Sequence, residues 1–140
     1  MSKILGYDEI GYVAATFKVD STTITALKTN HLDAATQKVD VNGKNLAVTL
    51  KSTGEVGFGD GTTASPLFGI IITYEQDGYA AVMTNGYKEG VPTAAAINAG
   101  VTTLAVNSSG AVASVASTPG NSVVVQPSTS DNLEATVLLK

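Results

Sequence analysis

A single histidine, His31, stands in a chain of 140 residues that contains no cysteine. A lone imidazole acts as a general base only where a serine nucleophile and an orienting carboxylate converge on it. No serine here sits in a nucleophile-elbow motif, so a surface or capping role is expected for His31, and a small hydrolase built on it is the third-ranked reading. The lack of cysteine removes thiol catalysis, disulfides and thiolate-held metals together. Two carboxylate pairs remain, Asp8 with Glu9 and Glu75 with Asp77. The second pair would share a strand face if the strand continued, as glycosidase acids might, but Asp77-Gly78 reads more simply as a hairpin turn. Asp40-Val41-Asn42-Gly43-Lys44-Asn45 carries part of a calcium-loop pattern without its spacing or its closing glutamate. The stretch Gly54 to Pro66 contains Gly57-Phe58-Gly59-Asp60-Gly61, a G-x-G-x-G spacing. Phosphate cradles of that kind open onto a helix, with Gly-Lys-Ser/Thr in the P-loop case. Thr, Ser and Pro follow here instead, which predicts a flexible loop. No enzyme activity, metal or cofactor is expected.

Charge narrows the partners. The formal net charge is −4, and the eight basic residues are all lysine. Arginine is favoured for bidentate contacts to phosphate and base edges, and nucleic-acid binders show a basic patch or stripe. Nucleic acid and anionic membrane surfaces are therefore not expected partners. No basic region followed by a hydrophobic run begins the chain, which points to synthesis in the cytoplasm without an export signal.

The elements come next. Residues 90–130 carry no ionisable side chain. Polar residues break every apolar run in that stretch well below the roughly 18 residues a membrane helix needs. Its β-branched content argues against disorder, leaving short strands on short turns. Leu104 to Val106, the turn Asn107-Ser108-Ser109-Gly110 and Ala111 to Val115 form a hairpin signature. Thr118-Pro119-Gly120-Asn121 has the type II turn pattern before a strand over Ser122 to Gln126, and Leu133 to Leu139 reads as the last strand.

Upstream, Leu67 to Tyr74 is the strongest apolar run and predicts a buried strand, returning through Glu75-Gln76-Asp77-Gly78 into Tyr79 to Thr84. Leu46 to Lys51 alternates as a strand, and so does Thr22 to Lys28. Asn30 to Lys38 suggests one or two helical turns capped by Asn30, and Thr93 to Ile97 suggests another. Asn42-Gly43 carries a type I′ signal, and Asn85-Gly86 reads as a turn.

Apolar residues make up 44% of the chain but aromatics only 6%, so aliphatic side chains must build the core. The fold expected is mainly β: a compact barrel-like or sandwich-like antiparallel domain over residues 21–140, preceded by an N-terminal arm over residues 1–20. Tyr7, Ile10, Tyr12 and Phe17 lie in that arm. They read either as anchors laid on a neighbouring subunit or as part of an edge strand of the same domain.

Two stretches resemble the small capsid decoration, or cement, proteins of tailed bacteriophages. One is Asp60-Gly61-Thr62-Thr63-Ala64-Ser65-Pro66-Leu67-Phe68-Gly69-Ile70-Ile71 followed by Tyr79 to Val91. The other is Ile97-Asn98-Ala99-Gly100-Val101 with Leu104 to Val112 and the terminal strand Ala135 to Leu139. The resemblance covers residues 46–140 and is carried by turn glycines and apolar alternation; Asn121 to Asp131 departs from it. It implies a β-rich domain on the outer surface of assembled capsids, in trimers or other symmetric clusters. Such a domain stabilises the shell by bridging subunits of the major capsid protein, and the N-terminal arm makes part of the contact. It also implies residence on the virion after synthesis in the host cytoplasm. The alternative is another non-enzymatic phage or cell-surface β-module, such as a head-fibre base or a carbohydrate-binding domain, for which Tyr74, Tyr79 and Tyr87 are the available stacking platforms.

Overall fold

The computed structural model describes residues 13–116 and 122–140. Tyr7, Ile10 and Tyr12, and the type II turn at Thr118 to Asn121, lie outside the described residues. The elements are β1 (Val13–Lys18), α1 (Ser21–Asn30), β2 (Ala47–Leu50), β3 (Val56–Gly57), β4 (Gly69–Glu75), β5 (Tyr79–Pro92), β6 (Leu104–Val106), β7 (Val112–Ser114), β8 (Ser122–Gln126) and β9 (Glu134–Leu139). One sheet runs β3-β2-β4-β5-β9-β8 with β1 also on β5, and β6 and β7 form a separate hairpin. Every strand pair is antiparallel. The mainly β, barrel-like expectation is met: the sheet curls into a half-barrel, and Val19, just past β1, reaches a parallel bridge with Val56 in β3.

β5 organises this curl. Residues 79–85 pair with β1 and β4, whereas residues 86–92 pair with β9. The turn expected at Asn85-Gly86 is absent because the backbone groups there are taken by strand partners, Gly86 lying opposite Leu139. Gly86 has φ 129, a conformation that side-chain-bearing residues avoid, and it marks the change of partners without ending the strand.

Both faces of the central strands are covered, which explains the unbroken apolar run of β4. Val48, Ile71, Ala80 and Val82 pack on one side with Val19, Leu27, Val56 and Phe58. Ala47, Ile70 and Met83 pack on the other with Leu104, Val112, Val124 and Val137. Successive residues such as Ile70 and Ile71, 0% and 1% exposed, thus serve different cores. Burying each such side chain stabilises the fold by about 1.5–3 kcal/mol before entropy is counted.

Four local expectations are corrected. Ser21–Asn30 is a helix, not a strand, because Asp20 caps it: its side chain accepts from Thr23 N at 2.7 Å. Thr23 and Leu27, four apart, bury the inner face, while Thr25 and Thr29 hydroxyls donate to carbonyls one turn back. Asn30 ends this helix and caps none; beyond it Asp33 accepts from Ala35 N and Thr36 N, making a side-chain-held turn in place of a second helix. Thr93 to Ile97 is not helical either, since Ala94 N donates to Val112 O and Ile97 N to Ser128 Oγ. The Asn42-Gly43 turn forms, but only Gly43 has positive φ (73), so it is of type II rather than I′.

Candidate interaction surface

Of the four arm residues singled out in the sequence, the structure describes Phe17. It sits in β1 opposite Ala80, half-buried, with its ring edge-on to Phe68 at a centroid distance of 5.4 Å. Residues 13–18 of the expected arm are therefore a strand of the domain, paired with β5 from Val13↔Asn85 to Lys18↔Tyr79. Phe17 packs against the helix-side core while its neighbours Thr16 and Lys18 stay exposed.

Among the described residues no strand pairs with the outer edge of β1. Val13 through Thr16 are exposed, Val13 at 58%, and the strand carries no charge before Lys18. Native sheets usually blunt such an edge with charge, proline or a cover, because unpaired N–H and C=O groups invite another chain. Here only the far end is so guarded: Lys18 faces Glu55 at 4.0 Å, an exposed pair of little energetic weight. At the near end the Thr84 hydroxyl donates to Val13 O at 3.4 Å.

A polar cleft of about 340 Å³ lies at the N-terminus of α1, lined by Asp20, Lys51, Phe58, Asp60 and Ser65 among others. Asp20 and Lys51 are engaged with each other, and Asp60 with neutral donors. Lys51 Nζ lies 3.5 Å from Asp20 and donates to Phe58 O at 2.6 Å. The Asp60 carboxylate accepts from the Thr62 hydroxyl, Thr62 N and the Ser65 hydroxyl, and these bonds hold its pKa below the ordinary carboxylate value.

The glycine-rich stretch is consequently not a flexible loop. A Cβ on Gly59 would meet Ser65 Cβ at 2.3 Å and Val106 O at 2.6 Å; one on Gly57 would meet Thr23 Oγ1 at 2.5 Å. The glycines are there for close packing, a cause that G-x-G spacing does not distinguish from phosphate binding.

The other chemical candidates are scattered. His31 follows α1, and partial burial, then the nearby Lys44 charge, push its pKa down. Asp77 accepts from Tyr79 N at 3.2 Å in the β4–β5 hairpin turn, and Asp40 accepts from Asn42 N at 2.9 Å. Asp8 and Glu9 lie outside the described residues. Among the described residues no group of three or more His, Cys, Asp or Glu side chains is placed to hold a metal ion. Tyr74 is buried, and desolvation followed by the Asp77 charge raises its pKa; Tyr79 is 41% exposed and Tyr87 half-buried. The three do not form one aromatic platform: Tyr74 faces the helix-side core, whereas Tyr79 is exposed on β5.

No family model, curated protein or solved structure matches the chain.

Proposed function

We propose that this chain is a decoration protein of a tailed-phage capsid, seated on the outer surface of the assembled shell and bridging subunits of the major capsid protein. The observation that carries the reading is the edge of β1, which among the described residues no strand pairs with, and which is exposed, uncharged as far as Phe17, and continuous in sequence with the segment that bears Tyr7, Ile10 and Tyr12. An edge of this kind binds an extended segment through main-chain hydrogen bonds, with alternate side chains supplying selectivity. Residues 1–12 then add aromatic and aliphatic anchors beside it. Symmetric clusters, with a trimer as the first expectation, would let modest contacts per copy sum to firm attachment. Binding only the assembled shell stabilises it by mass action, and no bond-making chemistry is required.

The test is shell stability. Expanded, empty capsids with saturating protein should resist heat or denaturant better than capsids alone. The double variant Ala14→Lys/Thr16→Lys, at two exposed positions, should need roughly tenfold more protein for the same protection, equivalent to about 1.4 kcal/mol. Unchanged capsid disruption at saturating protein contradicts the proposal.

A further inference from the structure

The chain holds two Asn-Gly steps, Asn42-Gly43 and Asn85-Gly86, and the fold treats them oppositely. Asparagine is among the thermolabile residues. The backbone nitrogen of the residue that follows it can attack the side-chain carbonyl carbon, and when that residue is glycine no Cβ crowds the approach. Sequence alone makes the two steps equal.

Asn42 and Gly43 are the central residues of the turn closed by Lys44 N donating to Val41 O at 3.0 Å. Both are exposed, and a Cβ built on Gly43 would meet nothing within 4 Å. The Asn42 backbone N–H donates to Asp40, but among the described residues neither the Asn42 side chain nor the Gly43 N–H takes part in a hydrogen bond. Electrophile and nucleophile are therefore both open to water. The other step lies inside β5, with Asn85 opposite Val13 and Gly86 opposite Leu139. Gly86, whose nitrogen would be the nucleophile, is buried. Attack there requires the strand to open, and core strands open only at free energies approaching that of global unfolding.

We infer that Asn42 is a modification site that deamidates spontaneously in the folded protein, while Asn85 is protected. Gly43 N loses its proton and bonds to Asn42 Cγ, the side-chain nitrogen leaves as ammonia, and a cyclic imide results. Water then opens the imide on one side or the other. Opening at Cγ gives aspartate; opening at the main-chain carbonyl gives isoaspartate, with the backbone rerouted through the side chain and one carbon longer. Either product adds a negative charge to the chain's −4, two residues from Asp40. Val41 and Leu46, 4% and 5% exposed, anchor the chain on both sides, so the change is confined to the surface turn. The inference is independent of the decoration reading.

The test follows both sites in one sample. The full chain, folded, is held at mildly alkaline pH, where amide deprotonation is favoured, and sampled over time. Cleavage after lysine places the sites on separate peptides, residues 39–44 and 52–88, each with a single asparagine. Mass spectrometry reads the exchange of the side-chain amide for a carboxyl group. In the folded protein 39–44 should convert at least roughly tenfold faster than 52–88. In denaturant the two should convert at similar rates. Asn42→Gln should remove the acidic species that isoelectric focusing resolves in the aged parent. Equal conversion of the two peptides in the folded protein, faster conversion of 52–88, or no conversion of 39–44 would overturn the assignment. So would the same disparity in denaturant, or an acidic species that Asn42→Gln leaves in place.

Discussion

The two faces of the central strands bury similar aliphatic cores but satisfy their polar groups in different ways. On the helix side, specific and often charged side chains do it: Asp20 caps α1, the Thr23 hydroxyl accepts from Phe58 N at 2.8 Å, Gln76 exchanges two hydrogen bonds with Val39, and Lys51 bridges Asp20 and Phe58 O. On the other side, half of whose buried residues come from the uncharged residues 90–130, neutral groups suffice. Ser128, 4% exposed, accepts from the Thr93 hydroxyl and Ile97 N and donates to Ala95 O, using its full capacity. Among these hydrogen bonds, charged side chains thus serve the helix-side layer, and pH should act on the layers unequally although their apolar contents match.

The sharpest way to break that picture is to cut the same side chain on each face. Ile70→Ala and Ile71→Ala should each lose about 2–5 kcal/mol, with one transition and an unchanged denaturant slope in chemical unfolding. Two transitions, or a slope altered by one substitution alone, would show that the cores melt separately. Next in size, Thr23→Val strands the buried Phe58 N–H and Ser128→Ala strands Ile97 N–H. Each should cost about 1–3 kcal/mol, and the double variant should be additive within about 0.5 kcal/mol. Asp20→Ala removes the cap together with the Lys51 ion pair and should cost about 1 kcal/mol, read as loss of helical ellipticity and a lower midpoint.

The smallest effects are those of pH, and their sign follows from the directions of the pKa shifts. His31 is held below its ordinary 6.5, so the unfolded chain binds the proton more readily, and stability present above pH 6.5 declines as pH falls below that value. Denaturation midpoints at pH 7.5 and 5.5 should differ in the parent and differ less in His31→Asn. Asp33 and Asp60 are held below 3.8 by hydrogen bonds to their charged forms, so their contributions are complete above pH 3.8 and are lost as pH falls through the folded values. Amide exchange in acid should therefore accelerate first around residues 33–36 and 60–65, and last in β8 and β9.

Much of this architecture is legible in the residues, and the failures have physical causes. The β4–β5 and β6–β7 hairpins follow from apolar runs broken by Asp77-Gly78 and Asn107 to Gly110, where turn residues and strand pattern agree. Helix α1 is hidden because Thr22, Thr23, Ile24 and Thr25 are β-branched and alternate. The overriding signal is Asp20 ahead of Thr23 and Leu27, a cap with an i, i+4 pair. Asn85-Gly86 misleads because a turn dipeptide also suits a strand that must change partners, and the competing partner, Leu139, is over fifty residues away. Phe17 reads from sequence either as an anchor on a neighbouring subunit or as part of an edge strand of the same domain; it lies in β1 with its ring against Phe68 of the same chain.

The central claim is that this protein works by attaching to an assembled shell, and counting bound copies tests it most directly. Sedimentation of expanded capsids over a range of protein concentrations, with densitometry of both chains in the pellet, should saturate at one fixed ratio of this protein to the major capsid protein. Removal of residues 1–12 should weaken that binding. A pellet that never takes up the protein, or takes it up in linear proportion without saturation, would contradict the account.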